Sequence, residues 1–132
     1  MTRDYYLLDT HALLFWHNQV AVSDDFISFL DTQEQNGALY VSAISFWEIA
    51  LLVKKGKLAL SDIHAWKNDL LNNTNLGVME PTAAEMIDST LLPDHHKDPF
   101  DRLLIAQASQ HDFVIITRDR NIQQYHVKHF WL

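Results

Sequence analysis

Five acids in this 132-residue chain stand in surroundings that do not suit a solvated charge. Asp9 ends the apolar run Tyr5-Tyr6-Leu7-Leu8, and Glu48 lies within the apolar stretch from Ala43 to Leu51, between Trp47 and Ile49. Asp98 and Asp101 open the segment Asp-Pro-Phe-Asp ahead of the apolar stretch Leu103 to Ala108, and Asp119 falls just beyond the β-branched run Phe113 to Thr117. Burying a carboxylate is costly unless it is paired or bound to a metal. Several carboxylates brought together also repel one another. Hard divalent cations that take oxygen ligands, Mg²⁺ or Mn²⁺ above all, relieve that repulsion. A cation held this way acidifies a water and stabilises charge building on a phosphoryl group. The chemistry these residue types suggest is metal-assisted phosphoryl hydrolysis.

Each acid also has a plainer reading. Asp9 can cap the helix that follows it, and Asp98 before Pro99 suits an N-cap with proline at the first helical position. Asp101 can complete a capping box or pair with Arg102, and Asp119 can cap a short helix between Arg118 and Arg120. Glu48 is the hardest to explain this way, because its helix has no basic neighbour until Lys54; a solvated groove is its alternative.

The elements that must position these acids follow from the pattern. Tyr5–Leu8, Gly37–Val41, Gly77–Pro81, Phe113–Thr117 and Val127–Phe130 read as strands, most of them as continuous apolar runs. Helices are expected from about His11 to Trp16, from Ser23, from Ser42 or Ser45 to about Lys55 with Gly56 as the stop, from Ser61-Asp62, from Thr82 to about Leu91, from Asp98, and from Asp119. In the fourth of these, Ile63, Trp66, Leu70 and Leu71 share one stripe. Apolar strands alternating with helices predict an α/β fold, a three-layer α/β/α sandwich around a mainly parallel sheet. Such a sheet carries its ligand site at the carboxyl ends of its strands, which is where Asp9 and Asp119 fall.

Length bounds the rest: residues 1–132 read as one domain, large enough to bury a real core. No cysteine is present, which removes disulfides, thiolate metal sites and cysteine nucleophiles. The opening MTRDYYLLDTHALLFW is interrupted by Asp9, Thr10 and His11, unlike a signal peptide, and no apolar run is long enough for a membrane span. A cytoplasmic protein is the expectation. The net charge of −7 argues against a nucleic-acid partner when taken alone. Two divalent ions at an acid cluster would answer that objection, by cancelling four negative charges where a phosphate must approach.

The blocks LLDTHALLFW, VSAISFWEIALLVKKGKL, HKDPFDRLLIAQA and VIITRDRNIQQY, in this order and spacing from Tyr6 to Trp131, resemble the motifs of the PIN domain. More narrowly they resemble the VapC-type toxins of toxin–antitoxin pairs. The resemblance implies a metal-dependent endoribonuclease whose four acids fall on Asp9, Glu48, Asp101 and Asp119, holding Mg²⁺ or Mn²⁺ that activates a water against the RNA phosphodiester. It further implies Asp98 as a cap or supporting group, and the hydroxyls of Thr10, Ser45 and Thr117 as partners of the acids. A cognate antitoxin protein and a homodimer are implied as well.

Other features carry less. His95-His96, with His11 and His64, matches no zinc spacing and reads as a loop pair, with His11 near enough to Asp9 to touch the site. Lys54, Lys55 and Lys57 are either a helix C-terminus favoured by cations or a rim for RNA phosphates. Arg102, Arg118 and Arg120 either steer substrate or balance the acids. Trp16, Trp47, Trp66 and Trp131 read as core or interface. Two other functions compete with the nuclease. One is a phosphatase or phosphotransfer domain with Asp9 as nucleophile, against which His11 stands where a second Asp is wanted. The other is a non-catalytic binding module whose acids are only caps.

Overall fold

A computed structural model describes residues 3–132, so the first two residues of the expected 1–132 unit lie outside the described residues. Five strands, β1 (Tyr6–Leu8), β2 (Leu39–Ser42), β3 (Gly77–Met79), β4 (Val114–Ile116) and β5 (His129–Phe130), form one sheet in the order β3-β2-β1-β4-β5. Every pairing is parallel; Leu8, for example, lies between Val41 and Ile116. Seven helices are described: α1 (Thr10–Asn18), α2 (Asp24–Gln35), α3 (Ala43–Lys54), α4 (Ile63–Asn73), α5 (Ala83–Thr90), α6 (Pro99–His111) and α7 (Arg120–Gln123).

The period-two alternation of a strand sorts its side chains onto two faces. Leu8, Leu39, Val41 and Ile116 pack on one face with Leu13 and Trp16 of α1, Phe26 and Leu30 of α2 and Leu70 of α4. Leu7 and Ile115 pack on the other with Leu104, Ile105 and Ala108 of α6, then Ile122 and Tyr125. The sheet is thus the middle layer of an α/β/α sandwich, as the pattern predicted, and it is wholly parallel.

Local signals set most helix starts. Ser23, Ser42, Asp62, Thr82, Asp98 and Asp119 each place a side-chain oxygen on a backbone N–H of the first turn. Thr82 and Glu85 complete a reciprocal capping box. Gly56, at φ +74°, follows α3 where a left-handed residue is needed. The strands are shorter than the apolar runs suggest: β3 stops at Met79 rather than Pro81, and β5 begins at His129 rather than Val127. A ladder extends only as far as its partner, and β2 ends at Ser42 opposite Met79. Gly77 sits beside Tyr40, where a Cβ would lie 2.4 Å from the tyrosine ring.

The chain builds β1, β2 and β3 outward in one direction, then returns to add β4 and β5 on the other side of β1. Parallel sheets open a crevice where the winding reverses, at the carboxyl ends of the strands. Here that place is the end of β1, between the ends of β2 and β4.

Candidate active site

The crevice is a cleft of about 420 Å³ lined by Asp9, Glu48, Asp98, Asp101 and Asp119, with Thr10, His11, Phe15, His96, Arg118 and Trp131 around them. The four acids that the resemblance names therefore meet in one place, and Asp98 joins them. Asp9 follows β1 directly and caps α1, its carboxylate accepting from the Ala12 N–H at 2.7 Å. Glu48 comes from the second turn of α3. Asp98 caps α6, accepting from the N–H groups of Phe100 (2.8 Å) and Asp101 (3.3 Å). Asp101 projects from the first turn of that helix. Asp119 caps α7 with Oδ1, leaving Oδ2 for the cleft. The plain reading and the chemical one hold together for Asp9 and Asp119: each carboxylate caps a helix and still lines the cleft.

The electrostatics are those of a crowded anionic pocket. Burial, followed by the charges of Asp98, Asp9, Glu48 and Asp119, pushes the Asp101 carboxyl from 3.8 up to about 8. Burial also raises Asp9, opposed by hydrogen bonds from the Thr117 hydroxyl and the Ala12 N–H. Glu48 is raised by burial, with the Thr10 hydroxyl acting the other way. Its Oε1 is buried and has no hydrogen-bond partner. Thr10 and Ser45 are themselves joined at 2.8 Å, and the Thr117 hydroxyl also accepts the Asp119 N–H at 3.0 Å. A set of raised carboxyls with one buried oxygen left over is the donor chemistry that suits a hard divalent cation.

His96 is the part of the site that the sequence did not reveal. Read as a loop histidine, it instead places Nε2 at 2.9 Å from Asp101 Oδ2 and 3.2 Å from Asp119 Oδ2. His95 turns away and stacks edge-on against Tyr125. Only its position two residues before Asp98 could have hinted at the role of His96.

Arg102 differs from both of its expected roles. It neither pairs with Asp101 nor faces the cleft: its guanidinium donates to the carbonyls of Ser89, Leu92, Pro93 and His96 at 2.9 to 3.1 Å. Arg118 lies 4.5 Å over the Phe15 ring and 5.7 Å from that of Trp131, and so forms one wall of the cleft.

Comparison with known proteins agrees with this geometry. Residues 6–128 match the PIN domain. Ribonuclease VapC22 of Mycobacterium tuberculosis is 28% identical over 123 residues, which is 90% of each chain. Among solved structures, DNA-bound VapBC from Salmonella typhimurium aligns with a TM-score of 0.71 at 14% identity, over 97% of this chain and 98% of that one. VapBC2 from Rickettsia felis, bound to a promoter DNA fragment, aligns with the same score at 15% identity, over 96% and 97%. At those identities the structural likeness speaks for the fold.

Proposed function

Because this chain belongs to the PIN domain family, we propose that it is an endoribonuclease, the toxin of a toxin–antitoxin pair. The observation that carries the reading is the single cleft in which Asp9, Glu48, Asp101 and Asp119 converge at the reversal point of a parallel sheet. Divalent metals are general to the family, and the carboxylates of this cleft, with the buried Glu48 Oε1 left without a partner, fit one. We assign Asp9, Glu48, Asp101 and Asp119 as the residues that hold it. The identity of the ion is proposed as Mg²⁺, with Mn²⁺ as substitute, since both take carboxylate oxygens. When bound, the cation supplies acidification of a water and charge stabilisation on a phosphoryl group.

The chain's own groups do the rest. The Ala12 N–H and the Thr117 hydroxyl hold the Asp9 carboxylate at the end of β1. Thr10, bonded to Ser45, lies beside Glu48, and the α7 cap orients Asp119. Arg118, held over Phe15, offers a cation at the cleft wall where an RNA phosphate would enter.

The solved relatives named VapBC are toxin–antitoxin complexes, and we assign this chain an antitoxin partner and a homodimer by analogy with them. Exposed apolar side chains support docking of a protein: Trp47 on α3, Met86 and Ile87 on α5, and Leu91 just beyond it, the last 77% exposed. No helix among the described residues is long and apolar enough to cross a membrane. We place the protein in the cytoplasm, where RNA would meet it, and take residues 1–132 as one domain.

The test is cleavage of a structured RNA pool by purified protein with Mg²⁺ or Mn²⁺, with EDTA, and with Asp9→Asn. Cutting that needs the metal and disappears in the variant is the expected result. Cutting unaffected by both would sink the assignment. Trapping a phosphorylated Asp9 would revive the phosphotransfer alternative.

A further inference from the structure

Asp101 and Asp119 come from different elements, are both carboxyls and are nonetheless held close together. The link is the His96 ring, whose Nε2 lies 2.9 Å from one carboxylate and 3.2 Å from the other. The tautomer of that ring follows from its other nitrogen. The Asp98 backbone N–H points at His96 Nδ1 at 3.1 Å. A backbone N–H can only donate, so Nδ1 accepts and carries no proton. The ring hydrogen then resides on Nε2, aimed between the two acids. A nitrogen bearing a proton has no lone pair in the ring plane to give a metal. His96 is therefore not placed as a ligand, although three groups with one donor atom each, His96, Asp101 and Asp119, lie within 4.8 Å of one another.

We infer that His96 is a positioning residue: its Nε2–H ties Asp101 and Asp119 together and presets their spacing for a divalent cation. The inference rests on the proposed carboxylate site. Its support extends into the loop that carries the histidine. The His96 N–H donates to the Tyr125 hydroxyl at 2.9 Å, that hydroxyl donates to the Pro93 carbonyl at 2.6 Å, and the Arg102 guanidinium grips the carbonyls of Leu92, Pro93 and His96. Ring and backbone of His96 are thus both fixed, which a merely adventitious loop contact would not require. Partners of this outer kind orient metal-binding carboxylates and are worth about 10- to 100-fold in metal affinity.

Two measurements test this at one slightly alkaline pH. Long-range ¹H–¹⁵N correlation of the metal-free protein reads the tautomer of His96, and the expected spectrum shows hydrogen on Nε2 only, unchanged when Mg²⁺ is added. Hydrogen on Nδ1, or its transfer there on adding Mg²⁺, makes the ring a ligand and overturns the inference. Calorimetric titration with Mg²⁺ then compares three variants. His96→Ala is expected to weaken binding about 10-fold or more. His96→Gln, whose amide nitrogen reaches the place of Nε2, should restore most of the loss. His96→Asn, whose nitrogen stops near the place of Nδ1, should behave as Ala does. Equal binding by all three, or tighter binding by Ala, refutes the positioning role. Failure of the unaltered protein to bind Mg²⁺ would instead fail the carboxylate site itself, while the tautomer could still be read without metal.

Discussion

Two carboxylates in this molecule leave water and meet opposite fates. The Glu85 side chain is only 3% exposed, yet it accepts the Thr82 N–H at 2.8 Å and lies 2.9 Å from His111 Nε2. The Asp101 side chain is 16% exposed, and burial, followed by the charges of four other carboxylates, pushes its pKa to about 8. Each acid has a histidine nitrogen at 2.9 Å; to that Glu85 adds a backbone donor, whereas Asp101 adds rival carboxylates. Folding alone would select the first arrangement and remove the second. That the second persists at the crevice of a parallel sheet is what marks it as functional, since strained and mutually repelling groups gather where a ligand relieves them.

The largest expected effect would come from removing one rival. Asp101→Asn keeps the shape of the side chain and discards a charge, so RNA cleavage should fall by more than ~100-fold, beyond what loss of a supporting group costs. Above about pH 4 the metal-free variant should melt at or above the temperature of the unaltered protein, because the cost of burying and crowding an ionisable carboxyl has gone. A variant that lost activity and stability together would make Asp101 an ordinary structural acid, and the contrast with Glu85 would collapse.

Metal and pH sharpen the same contrast. The folded-state pKa of Asp101 lies above its unfolded value of 3.8, so in metal-free protein its contribution to stability is fully present below about 4 and is lost as pH rises through about 8. A cation needs the deprotonated form, and its stabilisation should grow over that same interval. At a free Mg²⁺ concentration a hundredfold above Kd the gain should be about 2.7 kcal/mol. Thermal melts across pH, with Mg²⁺ and with EDTA, read both slopes. Asp101→Asn should flatten them, and a Mg²⁺ gain that is constant with pH would contradict the titration assigned to Asp101.

Glu85→Ala is the reciprocal change. It opens the capping box of α5 and deprives His111 of its partner, at a cost of about 1 to 3 kcal/mol in denaturant unfolding. Cleavage per folded molecule should stay as it was. Lost cleavage in a folded Glu85→Ala protein would mean that α5 reaches the site through a route other than packing.

The two regions also differ in how far they could be read from the sequence. Helix starts are local: Thr82 with Glu85, or Asp98 with Pro99, declare themselves within four residues, because a cap bonds its own first turn. The cleft acids were legible because each interrupts an apolar element whose end is visible in the chain. Strand ends were less so, since β3 and β5 stop where their neighbours stop. His96 was the least legible part. Its ring meets Asp119 across 23 residues, and the meeting depends on Arg102 turning from the acids to hold a loop by its carbonyls. No local pattern encodes a side chain's choice between a carboxylate beside it and four carbonyls across a gap.

That choice leads to the smallest change with a readable outcome. Tyr125→Phe removes the hydroxyl that bonds the Pro93 carbonyl and the His96 N–H while keeping the ring against α6. The loss in global stability should be near 1 kcal/mol. Its effect on the site should exceed its effect on the fold, because Arg102 is then the side chain left to hold the carbonyls of Leu92, Pro93 and His96. Hydrogen exchange at the His96 amide should quicken more than exchange at Leu104 or Ile115 in the core. Uniform quickening would make Tyr125 one more core residue, whereas a change confined to the loop would mean that its hydroxyl, with Arg102, holds the histidine that serves Asp101.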